Sequence, residues 1–165
     1  MPRRKAVVLL QCAWSPQYAG GRWPRRSWLR TLQTSQGKTA RAMRRLFPDD
    51  AHVWYDNATP QVAATSGGHF PFDPRHVRRV FSTAQPAFAL ACGLEAERAC
   101  LAHWPGRLLV MPHPAWRCMS NYLLDRVADL LAADTFDRLK VTTTGPRRVV
   151  YTSLLTAEEL LCTQP

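Results

Sequence analysis

Long apolar runs are missing from this chain. Stretches such as Ala6–Leu10 and Leu108–Met111 fall far short of the roughly 20 residues that cross a bilayer, so no membrane partner is expected. Cysteine is sparse and unpatterned. The five residues, at positions 12, 92, 100, 118 and 162, are odd in number and form no C-x-x-C pair. That argues against a disulfide framework and against an ordinary zinc site, and no metal or other cofactor is expected. Acidic residues are also few, 12 against 22 Lys plus Arg, a formal charge of +10. No internal repeat or low-complexity tract is present. The basic start Met1–Lys5 is followed by too short an apolar stretch, without a small-residue cleavage site, for a signal peptide. A reduced, cytoplasmic, monomeric protein is expected, and 165 residues suit one domain with a real core.

Four short apolar runs read as buried strands: Ala6–Leu10, His52–Tyr55, Ala87–Ala91 and Leu108–Met111. Segments of helical periodicity alternate with them. One runs from Gly37 to Phe47, with Ala40, Met43, Leu46 and Phe47 on one stripe. A second opens at Asp73-Pro74, an N-cap with proline in the first helical position. A third follows Gly93, and a fourth runs from Ser120 through Leu131. Alternating strands and helices predict an α/β fold: a three-layer α/β/α sandwich around a short, mostly parallel four-stranded sheet. The core spans about residues 6–133. Residues 138–165 add a β-hairpin near Lys140–Tyr151 and a last short helix opened by the capping box Thr156–Glu159.

Half of the basic residues fall before position 46, and several alternate with aromatics in Arg22-Trp23-Pro24-Arg25-Arg26-Ser27-Trp28-Leu29-Arg30. Clustered Arg with intervening Trp suits a phosphate backbone with bases to stack against; a solvated basic surface is the plainer alternative. Gly37-Lys38-Thr39 imitates the end of a phosphate-binding loop, but that motif requires a glycine where Leu32 stands. A nucleotide kinase or ATPase is therefore disfavoured.

The strand ends carry the chemistry. After Leu108–Met111 comes Pro112-His113-Pro114-Ala115-Trp116-Arg117, an imidazole held between two prolines of fixed φ. Open α/β sheets bind ligands at this carboxyl edge, although a Pro-rich turn with a surface His remains the bland alternative. The first strand leads into Gln11-Cys12-Ala13-Trp14-Ser15-Pro16-Gln17-Tyr18, the second into Asp56-Asn57-Ala58-Thr59-Pro60, and the third into Cys92-Gly93.

In order and spacing these four loops resemble the active-site motifs of the uracil-DNA glycosylase superfamily. The resemblance covers roughly residues 6–133. It implies a DNA partner, hydrolysis of an N-glycosidic bond after the nucleotide leaves the base stack, and no cofactor. It makes His113 the group that stabilises the departing base and Asn57 the reader of the base edge, although Asn57 alone is equally a turn-forming side chain. Gln11, Trp14, Gln17, Tyr18 and Trp23 would line the base pocket, one of the three aromatics stacking on the base. Arg25, Arg26, Arg117, Ser120 and Asn121 would contact the DNA backbone.

The departures from the family pattern narrow the substrate. Many relatives place a water-orienting Asp where this chain has Ser15, leaving Ser15, Asp56 or a main-chain carbonyl for that task. Asp56 is the only carboxylate beside a motif and is the candidate, although strand alternation turns it away from Asn57. The uracil-specific members place a Tyr where Gln17 stands, with Gly20-Gly21 close behind and the small, polar loop Thr65–His69 nearby. Without that wall the pocket would admit a bulky group at C5 of the base. Three readings follow: a glycosylase for modified pyrimidines, such as hydroxymethylated or glucosylated cytosine of phage DNA, acting in anti-phage defence; a uracil-excision repair enzyme; and a non-catalytic DNA-binding protein of the same fold.

Overall fold

A computed structural model describes residues 6–117, 119–145 and 147–154. The elements follow in the order β1 (Ala6–Leu10), β2 (Ala13–Trp14), a 3-10 turn (Pro16–Tyr18), α1 (Arg25–Thr34), α2 (Lys38–Leu46), β3 (Val53–Asn57), β4 (Val62–Ala63), α3 (Pro74–Ala84), β5 (Phe88–Cys92), α4 (Leu94–His103), β6 (Arg107–Met111), α5 (Asn121–Ala133), β7 (Arg138–Gly145) and β8 (Arg148–Ser153).

The strands form a sheet in the order β3-β1-β5-β6-β7-β8, parallel throughout except for the β7–β8 hairpin. The expected α/β architecture is present, with one correction: the sheet has six strands, not four. The hairpin is not an appendage, because β7 pairs parallel with β6 through Leu108↔Arg138 to Val110↔Lys140. In the sequence this strand alternates Leu139 and Val141 with Lys140 and Thr142, the pattern of a half-exposed strand.

Side-chain alternation divides the core into two layers. Val8, Leu10, Leu90, Cys92, Leu109 and Met111 face α1, α2 and α5, meeting Trp28, Leu32, Met43, Leu46, Leu123 and Val127. Val7, Leu9, Ala89, Ala91, Leu108 and Val110 face α3 and α4, meeting Val77, Val80, Phe81, Ala96, Ala99 and Cys100. Both faces of the central strands are covered, which explains why they read as continuous apolar runs. Two helix starts obey the expected chemistry. The Asp73 carboxylate accepts from the Arg75 and His76 amides, and the Ser120 hydroxyl accepts from the Leu123 amide at 3.1 Å. Helix α1 lies within the basic, aromatic segment. Its buried stripe is only Trp28 and Leu32, one turn apart and outnumbered by arginines. The capping box at Thr156–Glu159 lies outside the described residues. Among the described residues no helix is long and apolar enough to cross a membrane.

Candidate active site

The strand register lines up Asn57, Leu10, Cys92 and Met111 in one row across the carboxyl edge of the sheet. Ala58, Gln11, Gly93 and Pro112 form the rim above it. Asn57 and Met111 stand three strand spacings apart, about 14 Å, with β1 and β5 between them. Gly93 keeps the rim tight: its φ is +97°, and a Cβ there would lie 2.6 Å from the Gln11 side chain. Gln11 therefore lies over the Gly93 backbone, whose amide donates to Met111 O at 2.9 Å.

His113 begins a turn in which the Trp116 amide donates to its carbonyl at 2.8 Å. Its Nδ1 accepts from the Ala115 amide at 3.2 Å. A nitrogen that accepts carries no proton, so in the neutral ring the hydrogen sits on Nε2. Burial pushes the His113 pKa down to about 4, which makes the ring a neutral Nε2–H donor at pH 7. Asn57, at the other end of the row, is 9% exposed, and its side-chain amide makes no hydrogen bond to any described residue. That amide instead opens on the cavity beside β3, where a ligand could reach it.

Asp56 points the other way, as strand alternation requires. Its carboxylate accepts from Arg25 Nη1 at 2.7 Å, Trp54 Nε1 at 3.3 Å, the Asn57 amide at 2.9 Å and His76 Nε2 at 3.0 Å. Burial pushes this carboxyl up, but the His76 hydrogen bond and charge, the Asn57 amide and Arg25 together outweigh it and hold it below the usual carboxylate range. Arg25 also donates to Tyr55 O at 2.9 Å and lies 4.3 Å over the Trp54 ring. It thereby covers the open edge of β3, the outermost strand of the sheet.

The loop after β1 is held by the β2–β4 ladder. Ser15 donates its amide to Ala63 O at 2.8 Å, while its hydroxyl has no partner among the described residues. Gln17 is exposed on the 3-10 turn. Tyr18 and Trp23 stack on each other with centroids 5.2 Å apart, and Trp23 Nε1 donates to Ser27 Oγ at 3.2 Å. Trp14 is 52% exposed. Among the exposed large apolar side chains, Trp14, Leu94 and Trp116 come within five residues of the carboxyl ends of β1, β5 and β6, and Tyr122 lies in the first turn of α5. Arg26, Arg117 and Asn121 are exposed, whereas the Ser120 hydroxyl is occupied as the α5 cap.

Among the described residues, cavities lie beside β3 and the loop that follows it. One of about 360 Å³ is lined by Asn57, Asp56, Trp54, Trp23, Arg25 and His76, among others. The second, of about 450 Å³, is lined by Gly20, Gly21, Thr59 and Asp73, among others. Arg22, Thr59 and Pro60 line both, and His113 lines neither. The structure thus sets His113, Gln11 and Asn57 along one rim and turns Asp56 and Arg25 to the sheet edge. Sequence reasoning passed over His76 and Arg79, which α3 brings to that edge; the outward alternation of Asp56 was the available signal. Among the described residues no group of three or more His, Cys, Asp or Glu side chains is arranged to hold a metal ion. Comparison with protein-family models, characterised proteins and solved structures gives no match to this chain.

Proposed function

We propose that this protein is a DNA N-glycosylase that removes a modified pyrimidine carrying an enlarged C5 group, leaving an abasic site, with a role in defence against phage whose DNA bears such bases. The observation that carries this reading is the placement, along one carboxyl edge, of a neutral Nε2–H donor on His113 and the side-chain amide of Asn57, which no described residue engages. A nucleotide extruded from the stack would lie between them. Asn57 donates to and accepts from the pyrimidine edge, and His113 donates to O2 of the base.

Water adds to C1′ as the N-glycosidic bond breaks, and the bond's electron pair leaves with the base. His113 disperses the resulting negative charge without having to be cationic. The proton lost by the water passes to solvent, and the base anion takes one up. A carboxylate engaged by four donors is a weak base, so Asp56 is not assigned to the water. The unpartnered Ser15 hydroxyl or a main-chain carbonyl takes that place. The exposed Gln17 and the cavity beside Gly20 and Gly21 support room for an enlarged base. Exposed Trp116, three residues beyond His113, suits the gap that a flipped base leaves.

The test is incubation of the purified protein with DNA containing hydroxymethylated or glucosylated cytosine, with uracil DNA and with plain DNA, followed by alkaline cleavage at abasic sites. Breaks in modified-cytosine DNA are expected. Breaks confined to uracil DNA would return the protein to excision repair. Binding without breaks in any substrate would leave a DNA-binding protein of the same fold.

A further inference from the structure

The 360 Å³ cavity outside β3 meets the glycosidic site proposed above only at Asn57; neither His113 nor Gln11 lines it. Its size lies within the range of about 300–1,000 Å³ typical of small-molecule sites. Three guanidinium groups line it: Arg22, Arg25 and Arg79. Among the described residues the only lining carboxylate is Asp56, which holds Arg25 at 2.7 Å. Arg22 and Arg79 have no hydrogen bond or ion pair with any described residue. Even with His76 neutral, three cations against one anion leave the recess net cationic. Trp23 adds a fixed flat surface. Its indole is backed by the Tyr18 ring at 5.2 Å and anchored to Ser27 through Nε1, so little conformational freedom remains to be lost on binding. Asn57 lines the recess where it meets the carboxyl rim, and its side-chain amide has no hydrogen bond to a described residue.

Unpaired guanidinium groups select a phosphate, and a rigid indole selects a planar base. We propose that this recess is a nucleotide-binding site, taking a phosphate on Arg22 and Arg79 and its attached base on Trp23. The ligand is either a free nucleoside monophosphate or one nucleotide of a single strand. The site holds its ligand whether or not a glycosidic bond is cut elsewhere.

Calorimetric titration of the full chain with dCMP, deoxycytidine, inorganic phosphate and a short oligothymidylate tests the site. Binding of dCMP or of the oligothymidylate is expected, at least tenfold tighter than deoxycytidine. Both ligands binding admits a free nucleotide; the oligothymidylate alone assigns the site to a strand. Arg22→Gln and Arg79→Gln, both at exposed positions, should each weaken binding about tenfold, as loss of a charge-assisted hydrogen bond does. Trp23→Ala should weaken the nucleotide but leave inorganic phosphate unchanged. His113→Ala, which removes the proposed chemistry, should leave every titration intact, so failure of the glycosylase reading would show separately. Deoxycytidine binding as tightly as dCMP, unchanged affinity in both arginine variants, or no binding of either phosphorylated ligand would overturn the site.

Discussion

At the scale of single residues, protonation separates His113 from Asp56. The His113 ring accepts the Ala115 amide on Nδ1 and is uncharged at neutral pH, so its contribution to turnover should stay flat between pH 6 and 8 instead of following an ordinary imidazole. His113→Ala should lower single-turnover cleavage on the order of 10²–10³, by comparison with loss of one oxyanion donor, with DNA affinity nearly unchanged. The depressed pKa also affects stability. Between the ordinary value of 6.5 and about 4, the unfolded chain binds a proton that the folded chain excludes. This contribution is therefore whole above pH 6.5 and is lost as pH falls through that window. Urea unfolding of His113→Asn should show a shallower loss of stability between pH 6.5 and 4 than the unsubstituted protein; parallel curves would mean that the ring is not desolvated. Asp56→Asn should behave in the opposite sense. It breaks the contacts to Arg25 and His76, lowering stability by about 1–2 kcal/mol, while cleavage stays within a few-fold. A large loss of cleavage with unchanged stability would restore Asp56 as the water-orienting group.

At the scale of elements, the central strands and most helices were legible because local chemistry and tertiary setting agree. Ala6–Leu10 is apolar at every position because both faces are covered, and Asp73-Pro74 and Ser120 start helices where their side chains cap them. The sixth strand, β8, pairs only with β7 at the sheet margin, so its Val149 and Val150 carried no sign of membership in the main sheet. The two-residue strands β2 and β4 have no periodicity to read; Gly68 packs closely against β4, where a Cβ would lie 2.4 Å from the Ala63 Cβ. The site divides in the same way. Rim positions follow directly from strand ends, so His113, Asn57 and Gln11 were placed by sequence. The Arg25–Asp56–His76 group joins residues 20 and 31 positions apart through the packing of α1 and α3 around an edge strand, which no local pattern encodes. The loop after β1 yields its own prediction. Gln17 is exposed and lines neither cavity, while Gly20 and Gly21, three and four residues on, line one of them; on the proposed reading, Gln17→Tyr should add bulk where the enlarged base enters. Overpacking costs more than a new apolar wall gains, so the rate ratio of modified-cytosine to uracil DNA should fall. An unchanged ratio would place the C5 group elsewhere.

At the scale of the molecule, a formal charge of +10 attracts any polyanion, and its distribution decides whether the attraction becomes a defined complex. Arg26 and Arg117 are exposed, and no ion pair or hydrogen bond to a described residue engages either side chain. Arg25 differs, because its guanidinium is already held by Asp56, by Tyr55 O and by the Trp54 face. A phosphate would have to displace a carboxylate to use it. Each phosphate contact contributes about one unit to the slope of log affinity against log salt, through counterion release. Arg26→Gln and Arg117→Gln should therefore each flatten that slope by about one unit. Arg25→Gln should leave it nearly unchanged and instead lower the unfolding midpoint, since it uncovers the edge of β3. Fluorescence-anisotropy titrations across a salt series, paired with thermal melts of the same variants, separate the two behaviours. A full unit lost with Arg25→Gln at unchanged stability would mean that DNA opens the Arg25–Asp56 pair. A slope near zero in the unsubstituted protein would remove nucleic acid as the partner of this surface.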